Sequence, residues 1–105
     1  MRLSDQQKRA IVDSFQIFRK GSQAALYLFG SRTDDSKRGG DIDLLLVFET
    51  DRESQNFPRL DFVVDLKKKI GDRKIDLTLA TKSQLQSDSF LKSIFSGAVL
   101  LCSED

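Results

Sequence analysis

The chain contains no histidine, a single cysteine and a single proline. Without histidine there is no imidazole acid or base. With Cys102 as the lone thiol, zinc sites of the usual Cys/His kind are excluded as well. One cysteine cannot form a disulfide within the chain. Neither sign of charge dominates: 17 Lys and Arg stand against 16 Asp and Glu. That balance gives no broad basic field and argues against direct binding of long nucleic acid. No apolar run is long enough to cross a membrane, and the polar start Met1-Arg2-Leu3-Ser4-Asp5 lacks a signal-peptide pattern. A cytoplasmic protein without a membrane partner is the expectation.

What is present suffices for one compact domain over residues 1–105. Hydrophobic residues make up 39% and include eight phenylalanines, enough for a real core. A domain of this size buries roughly 60–70% of its unfolded surface, so a bound ion or partner would matter to its stability.

Residues 4–20 read as a helix, with Ser4 and Gln7 as a capping box and Ile11, Val12, Phe15 and Phe18 as its apolar stripe. Gly21 is its stop. Ala24 to Phe29 is a continuous apolar run, expected to be a strand buried on both faces. Residues 32–38 are polar, with a short helical turn expected after Ser31, and Gly39-Gly40 lead into a second strand over 41–49. Residues 50–56 read as a solvated loop. A helix opening at Asn56-Phe57-Pro58 and ending at Gly71 would bury Phe62, Val63, Leu66 and Ile70. Lys74 to Ala80 alternates as a third strand. Ser83 with Gln86 predicts another capped helix to Ser96, with Phe90, Leu91, Ile94 and Phe95 on its core face. Ala98 to Cys102 is expected at a sheet edge. The fold class is therefore α/β (α+β), a small mixed sheet flanked by helices.

Asp41 and Asp43 stand at the start of the second strand, where period two puts both carboxylates on one side. Taken alone, such a pair is an ordinary strand-start feature. At ~5 Å and an effective dielectric of ~20, however, the two charges repel by roughly 3 kcal/mol, which solvent or a cation must relieve. The five apolar residues that follow hold the pair at the edge of the core. Asp76 lies on the third strand, opposite its Ile and Leu neighbours. If the two strands are adjacent, three carboxylates converge. Such a cluster suits two Mg²⁺ ions, with Mn²⁺ as an alternative, bound together with substrate phosphates.

Gly30-Ser31 supplies a complement. A strand that ends in glycine and turns into a helical start offers backbone N–H groups and a hydroxyl to an anion. A plain turn glycine and serine cap is the other reading. Arg32 can pair with phosphate or simply be solvated.

The combination Gly30-Ser31-Arg32 and Asp41-Ile42-Asp43-Leu44-Leu45, with nine residues between Ser31 and Asp41, resembles the signature of the DNA polymerase beta-type nucleotidyltransferase superfamily. The Phe-Gly-Ser-Arg wording and the size resemble its MNT branch, the minimal nucleotidyltransferases. The resemblance covers most of the chain, and Asp76 falls on the third acidic position. It departs from the branch at Asp34-Asp35, where basic and small residues are more usual. The resemblance implies a nucleotidyltransferase fold and Mg²⁺-dependent transfer of a nucleoside monophosphate, commonly AMP from ATP or another NTP. Asp41, Asp43 and Asp76 would be the catalytic and metal-binding residues, and Gly30, Ser31 and Arg32 would bind the nucleotide. MNT proteins pair with helical HEPN proteins as antitoxins and adenylylate them, which implies a hetero-oligomer. Two alternatives stand beside this one. The chain could be a nucleotide-binding or steric antitoxin subunit without transfer activity. It could also be a small-molecule nucleotidyltransferase working as a homo-oligomer.

Overall fold

The computed structural model describes residues 3–30 and 41–104. Helix α1 (Asp5–Phe18) opens with the expected box: Ser4 Oγ accepts from the Gln7 N–H, and the Gln7 side chain accepts from the Ser4 N–H. Strand β1 (Ala24–Phe29) and strand β2 (Ile42–Phe48) pair antiparallel. Helices α2 (Asp51–Asn56) and α3 (Arg59–Ile70) cross to strand β3 (Ile75–Thr81), which lies parallel to β2. Helices α4 (Lys82–Ser87) and α5 (Ser89–Ser96) lead to strand β4 (Val99–Glu104). Among the described residues the sheet has four strands in the order β3-β2-β1-β4. It is mixed and flanked by helices, the architecture of the nucleotidyltransferase fold. None of the described helices is long and apolar enough to cross a membrane.

Strand periodicity sorts the apolar side chains into two layers. On one face Leu26, Leu28, Ile42, Leu44, Leu46, Phe48 and Leu77 meet Ile11 and Phe15 of α1 and Phe62 and Leu66 of α3. Phe57 stacks between Phe48 and Phe62, at 5.6 and 5.3 Å between ring centroids. On the other face Leu45, Val47 and Ala80 meet Leu91 of α5, with Tyr27, Phe29, Leu85 and Ile94 around them. This second layer is thinner. Tyr27 and Phe29 are only half-buried, so β1 alternates in burial where burial on both faces was expected.

A polar clamp ties α1 to α3. Ser14, fully buried, donates to Asp65 Oδ2 at 2.6 Å and accepts from Lys69 Nζ at 2.9 Å. Lys69 also pairs with Asp65 at 3.0 Å. Its partners on both sides satisfy a hydroxyl that would otherwise be costly in the core.

Two stretches differ from the sequence expectation. Residues 51–56 form helix α2 where a loop was expected. Thr50 and Glu53 cap it reciprocally, and it buries none of its residues, so periodicity could not signal it. The single helix expected to follow Ser83 is two helices. The first is capped by Thr81 with Gln84, not by Ser83 with Gln86. The second is capped by Asp88, whose carboxylate accepts from the Phe90 and Leu91 N–H groups. The break at Asp88 resets the helical phase. Leu91 is therefore the buried residue of α5, while Phe90 is 68% exposed. The turn expected over 32–38 lies outside the described residues.

Candidate functional site

The parallel pairing of β2 and β3 brings their N-terminal ends together. The antiparallel pairing of β1 and β2 brings the C-terminal end of β1 to the same place. Asp43 stands directly opposite Asp76 on one side and opposite Phe29, the residue before Gly30, on the other. Asp41 immediately precedes β2, whose first amide, Ile42 N–H, donates to the Lys74 carbonyl at 3.0 Å. Gly30, Asp41, Asp43 and Asp76 therefore share one end of the sheet. Asp43 projects on the face of Leu45 and Val47, just beyond the cover that α5 gives that face. Asp41 and Asp43 are half-buried and Asp76 is exposed.

The electrostatics centre on Asp43. Burial pushes its carboxyl above the ordinary range. The Asp76 carboxylate adds to this through a hydrogen bond and through repulsion, and Asp41 adds repulsion. The Lys74 ammonium partly offsets them. Two carboxylates in mutual hydrogen-bond contact are short of positive charge, which a proton or a cation supplies. Yet among the described residues no group of three His, Cys, Asp or Glu side chains is gathered closely enough to hold a metal ion as it stands. The three-carboxylate cluster is thus a contacting pair, Asp43 with Asp76, and a third charge, Asp41, that bears on Asp43. The donor set is carboxylate oxygen throughout, which fits Mg²⁺ or Mn²⁺ and suits zinc poorly.

Ser31 and Arg32 lie outside the described residues. Gly30 is described and has a positive φ of 78°. Lys74 bears on Asp43 as well, and the sequence reading names it only as the start of the third strand. Its signal was its position two residues before Asp76, on the approach to β3.

A groove of about 470 Å³, lined by Ala25, Tyr27, Val47, Lys82, Leu85, Phe95 and Ser103 among others, lies away from the carboxylates. It occupies the same sheet face toward the opposite end of β2.

The family model "Polymerase beta, Nucleotidyltransferase" matches residues 15–105. A comparison with curated proteins finds no match. Among solved structures, a chain of a toxin–antitoxin crystal structure with AMP-PNP superposes with a TM-score of 0.63. It is 19% identical, and the match covers 93% of this chain and 74% of that one. A nucleotidyltransferase-like protein of Sulfolobus solfataricus gives a TM-score of 0.46 at 15% identity, covering 99% of this chain and 93% of that one. The first likeness speaks to the fold alone, and the second adds nothing to it. The family match takes in every strand of the sheet and the shared end where Gly30, Asp41, Asp43 and Asp76 meet: the chain belongs to the polymerase beta nucleotidyltransferase family.

Proposed function

We propose that this chain is a minimal, Mg²⁺-dependent nucleotidyltransferase that moves AMP from ATP onto a protein partner. In this reading it is the antitoxin of a HEPN/MNT toxin–antitoxin pair, and residues 1–105 are one catalytic domain. The observation that carries it is the juxtaposition of Asp43 and Asp76 across neighbouring parallel strands at the end of β1. The fold-level likeness to a toxin–antitoxin structure with AMP-PNP supports the choice of nucleotide and setting.

Asp41 and Asp43 would hold Mg²⁺, and Asp76 would complete the set. Bound there, Mg²⁺ would neutralise charge on the triphosphate as the leaving pyrophosphate develops. The chain's own groups do the rest. Gly30, Ser31 and Arg32 would receive the triphosphate. Asp76, exposed at the rim, accepts the proton of the acceptor hydroxyl at a carboxylate oxygen. The acceptor oxygen then bonds to the α-phosphorus, and the bond from that phosphorus to the bridging oxygen breaks. Lys74 tempers the repulsion among the carboxylates before the cation arrives.

A partner is supported by apolar side chains that the fold leaves uncovered near β4. Phe90 is 68%, Leu100 52% and Phe95 38% exposed. Leu101, next to Leu100 on β4, packs instead against the main core.

A second reading has one observation in its favour. Asp43 and Asp76 are in contact, but among the described residues no third carboxylate is gathered with them closely enough to hold a metal ion. A nucleotide-binding antitoxin subunit that acts sterically would need no more than this. One assay separates the two: incubation with Mg²⁺, α-labelled ATP and a small helical HEPN-type protein that co-purifies with this chain on co-expression. Label on the partner, reduced roughly 10²-fold or more by Asp76→Asn with ATP binding kept within a few-fold, is the expected result. ATP binding by the wild type without any transfer selects the steric subunit. Equal transfer by wild type and Asp76→Asn removes Asp76 from the chemistry.

A further inference from the structure

Gly21, Gly30 and Gly71 all have positive φ, at 82°, 78° and 98°. Around Gly21 and Gly71, an added Cβ would meet nothing within 4 Å. Those two serve the backbone alone. Gly30 is different. A Cβ built there would overlap Oδ2 of Asp43 outright, and would lie 3.0 Å from its Cγ and 3.4 Å from its Cβ. The space that a side chain would take at Gly30 is taken by the Asp43 carboxylate.

Strand order gives this contact a direction. β2 runs between β1 and β3, so Asp43 has Gly30 on one flank and Asp76 on the other. Anything that fills the Gly30 side must drive the Asp43 carboxylate toward Asp76, a like charge, or off the sheet. Strand backbone fixes Asp43 at its root, with Ile42 and Leu44 fully buried on either side of it. The carboxylate can move only by rotating its own side chain.

We propose that Gly30 is a positioning residue for Asp43: its missing side chain is the seat that holds the Asp43 carboxylate in place for a cation. This goes beyond a part in receiving phosphate, and it rests on the reading of Asp43 as a ligand of Mg²⁺ or Mn²⁺. The requirement for glycine then has two separable parts, the positive φ and the carboxylate contact.

A double-mutant cycle on thermal stability separates them without any metal. Gly30→Ala is made in the wild type and in Asp43→Ala. The strain of alanine at positive φ is common to both backgrounds and cancels, leaving the contact. The drop in Tm caused by Gly30→Ala should be smaller once Asp43 is alanine, leaving only the share due to positive φ. Equal drops in the two backgrounds overturn the proposal. If Gly30→Ala alone does not fold, recovery of folding in the double variant supports it, and failure of both overturns it. The second readout is Mn²⁺ binding followed by electron paramagnetic resonance, with Gly97→Ala as control because no atom lies near a Cβ there. Folded Gly30→Ala should lose roughly 10- to 100-fold in Mn²⁺ affinity, as when a ligand's support is removed, with the control unchanged. A wild type that binds Mn²⁺ and a Gly30→Ala that binds it equally well overturn this proposal alone. A wild type that binds no Mn²⁺ overturns the metal-dependent function and this proposal together.

Discussion

Replacing Asp43 by asparagine should make the metal-free protein more stable, not less. Asp43 faces Asp76 directly across the parallel pair and is in hydrogen-bond contact with it. At ~5 Å the repulsion is roughly 3 kcal/mol for an effective dielectric of ~20, and falls to about 1 kcal/mol in bulk water. Asp76 is exposed, so solvent screens the pair and the lower figure governs. Asparagine keeps the shape and can donate its amide N–H to the Asp76 carboxylate, turning repulsion into a charge-assisted hydrogen bond. A gain of about 1–2 kcal/mol is expected, and each kcal/mol raises Tm by about 4–8 °C in a domain of this size. The assay is a pair of thermal melts in chelator, repeated with Mg²⁺ and ATP. Wild type should melt lower in chelator and rise with ligand by mass action. Asp43→Asn should melt higher in chelator and respond little. A variant that melts below wild type makes Asp43 a structural residue. One that melts higher yet gains as much from Mg²⁺ and ATP removes it from the cation site.

Three further outcomes follow from the packing. Ser14→Ala breaks the α1–α3 clamp and should cost about 1–2 kcal/mol at neutral pH, read as a lower urea midpoint with unchanged slope. That cost should depend on acidity. The Ser14 hydroxyl, then the Lys69 ammonium, hold the Asp65 carboxyl below its ordinary value of 3.8. Its contribution is complete above that pH and fades as pH falls through the lower folded value, so wild type and Ser14→Ala should converge in stability in strong acid. A difference that persists undiminished there would mean that the clamp is packing alone. Asp88→Ala removes the cap of α5 and should cost about 1 kcal/mol, while an equal cost from Ser83→Ala would contradict the cap assignment.

Much of the architecture was readable because two periods dominate the chain. The period of two in Ile42-Leu44-Leu46-Phe48 put one apolar set in the main core, and it left Asp43, Leu45 and Val47 on the other face. The same alternation placed Asp76 with Thr78 and Ala80. Strand adjacency was the missing step, since nothing local to either strand states that β2 and β3 are neighbours. Elsewhere local chemistry outran periodicity. Thr50-x-x-Glu53 is as good a capping box as Ser4-x-x-Gln7, but no apolar stripe follows it, so only the latter was read as a helix. Thr81-x-x-Gln84 and Ser83-x-x-Gln86 fit the same pattern two residues apart. Tertiary structure chose between them, because Thr81 is buried at the end of β3 and its side chain already points to the first turn of α4. The apolar phase of Phe90-Leu91-Ile94-Phe95 was misread for a related reason. A continuous helix was assumed across Asp88, where the cap restarts the count.

The two layers on the sheet divide the labour of the fold. The main core, against α1 and α3, contains most of the fully buried side chains. It supplies the bulk of the apolar stabilisation, at about 25 cal/mol for each Å² removed from water. The second layer is short: on β2 it begins at Leu45, with Phe29 of β1 beside Asp43, and it leaves the first residues of β2 and β3 on that face to polar side chains. Asp43 can be half-buried there only because β2 is anchored by its opposite face, with Ile42 and Leu44 fully enclosed. A carboxylate pair that opposes folding is tolerable at this point because the strands that bear it are fixed from behind. It follows that substitutions of Asp41, Asp43 and Asp76 should do little harm to the core, so that their effect on the proposed chemistry can be read in a folded protein. Substitutions of Leu44 or Phe62 should unfold the protein before they reveal anything about that chemistry.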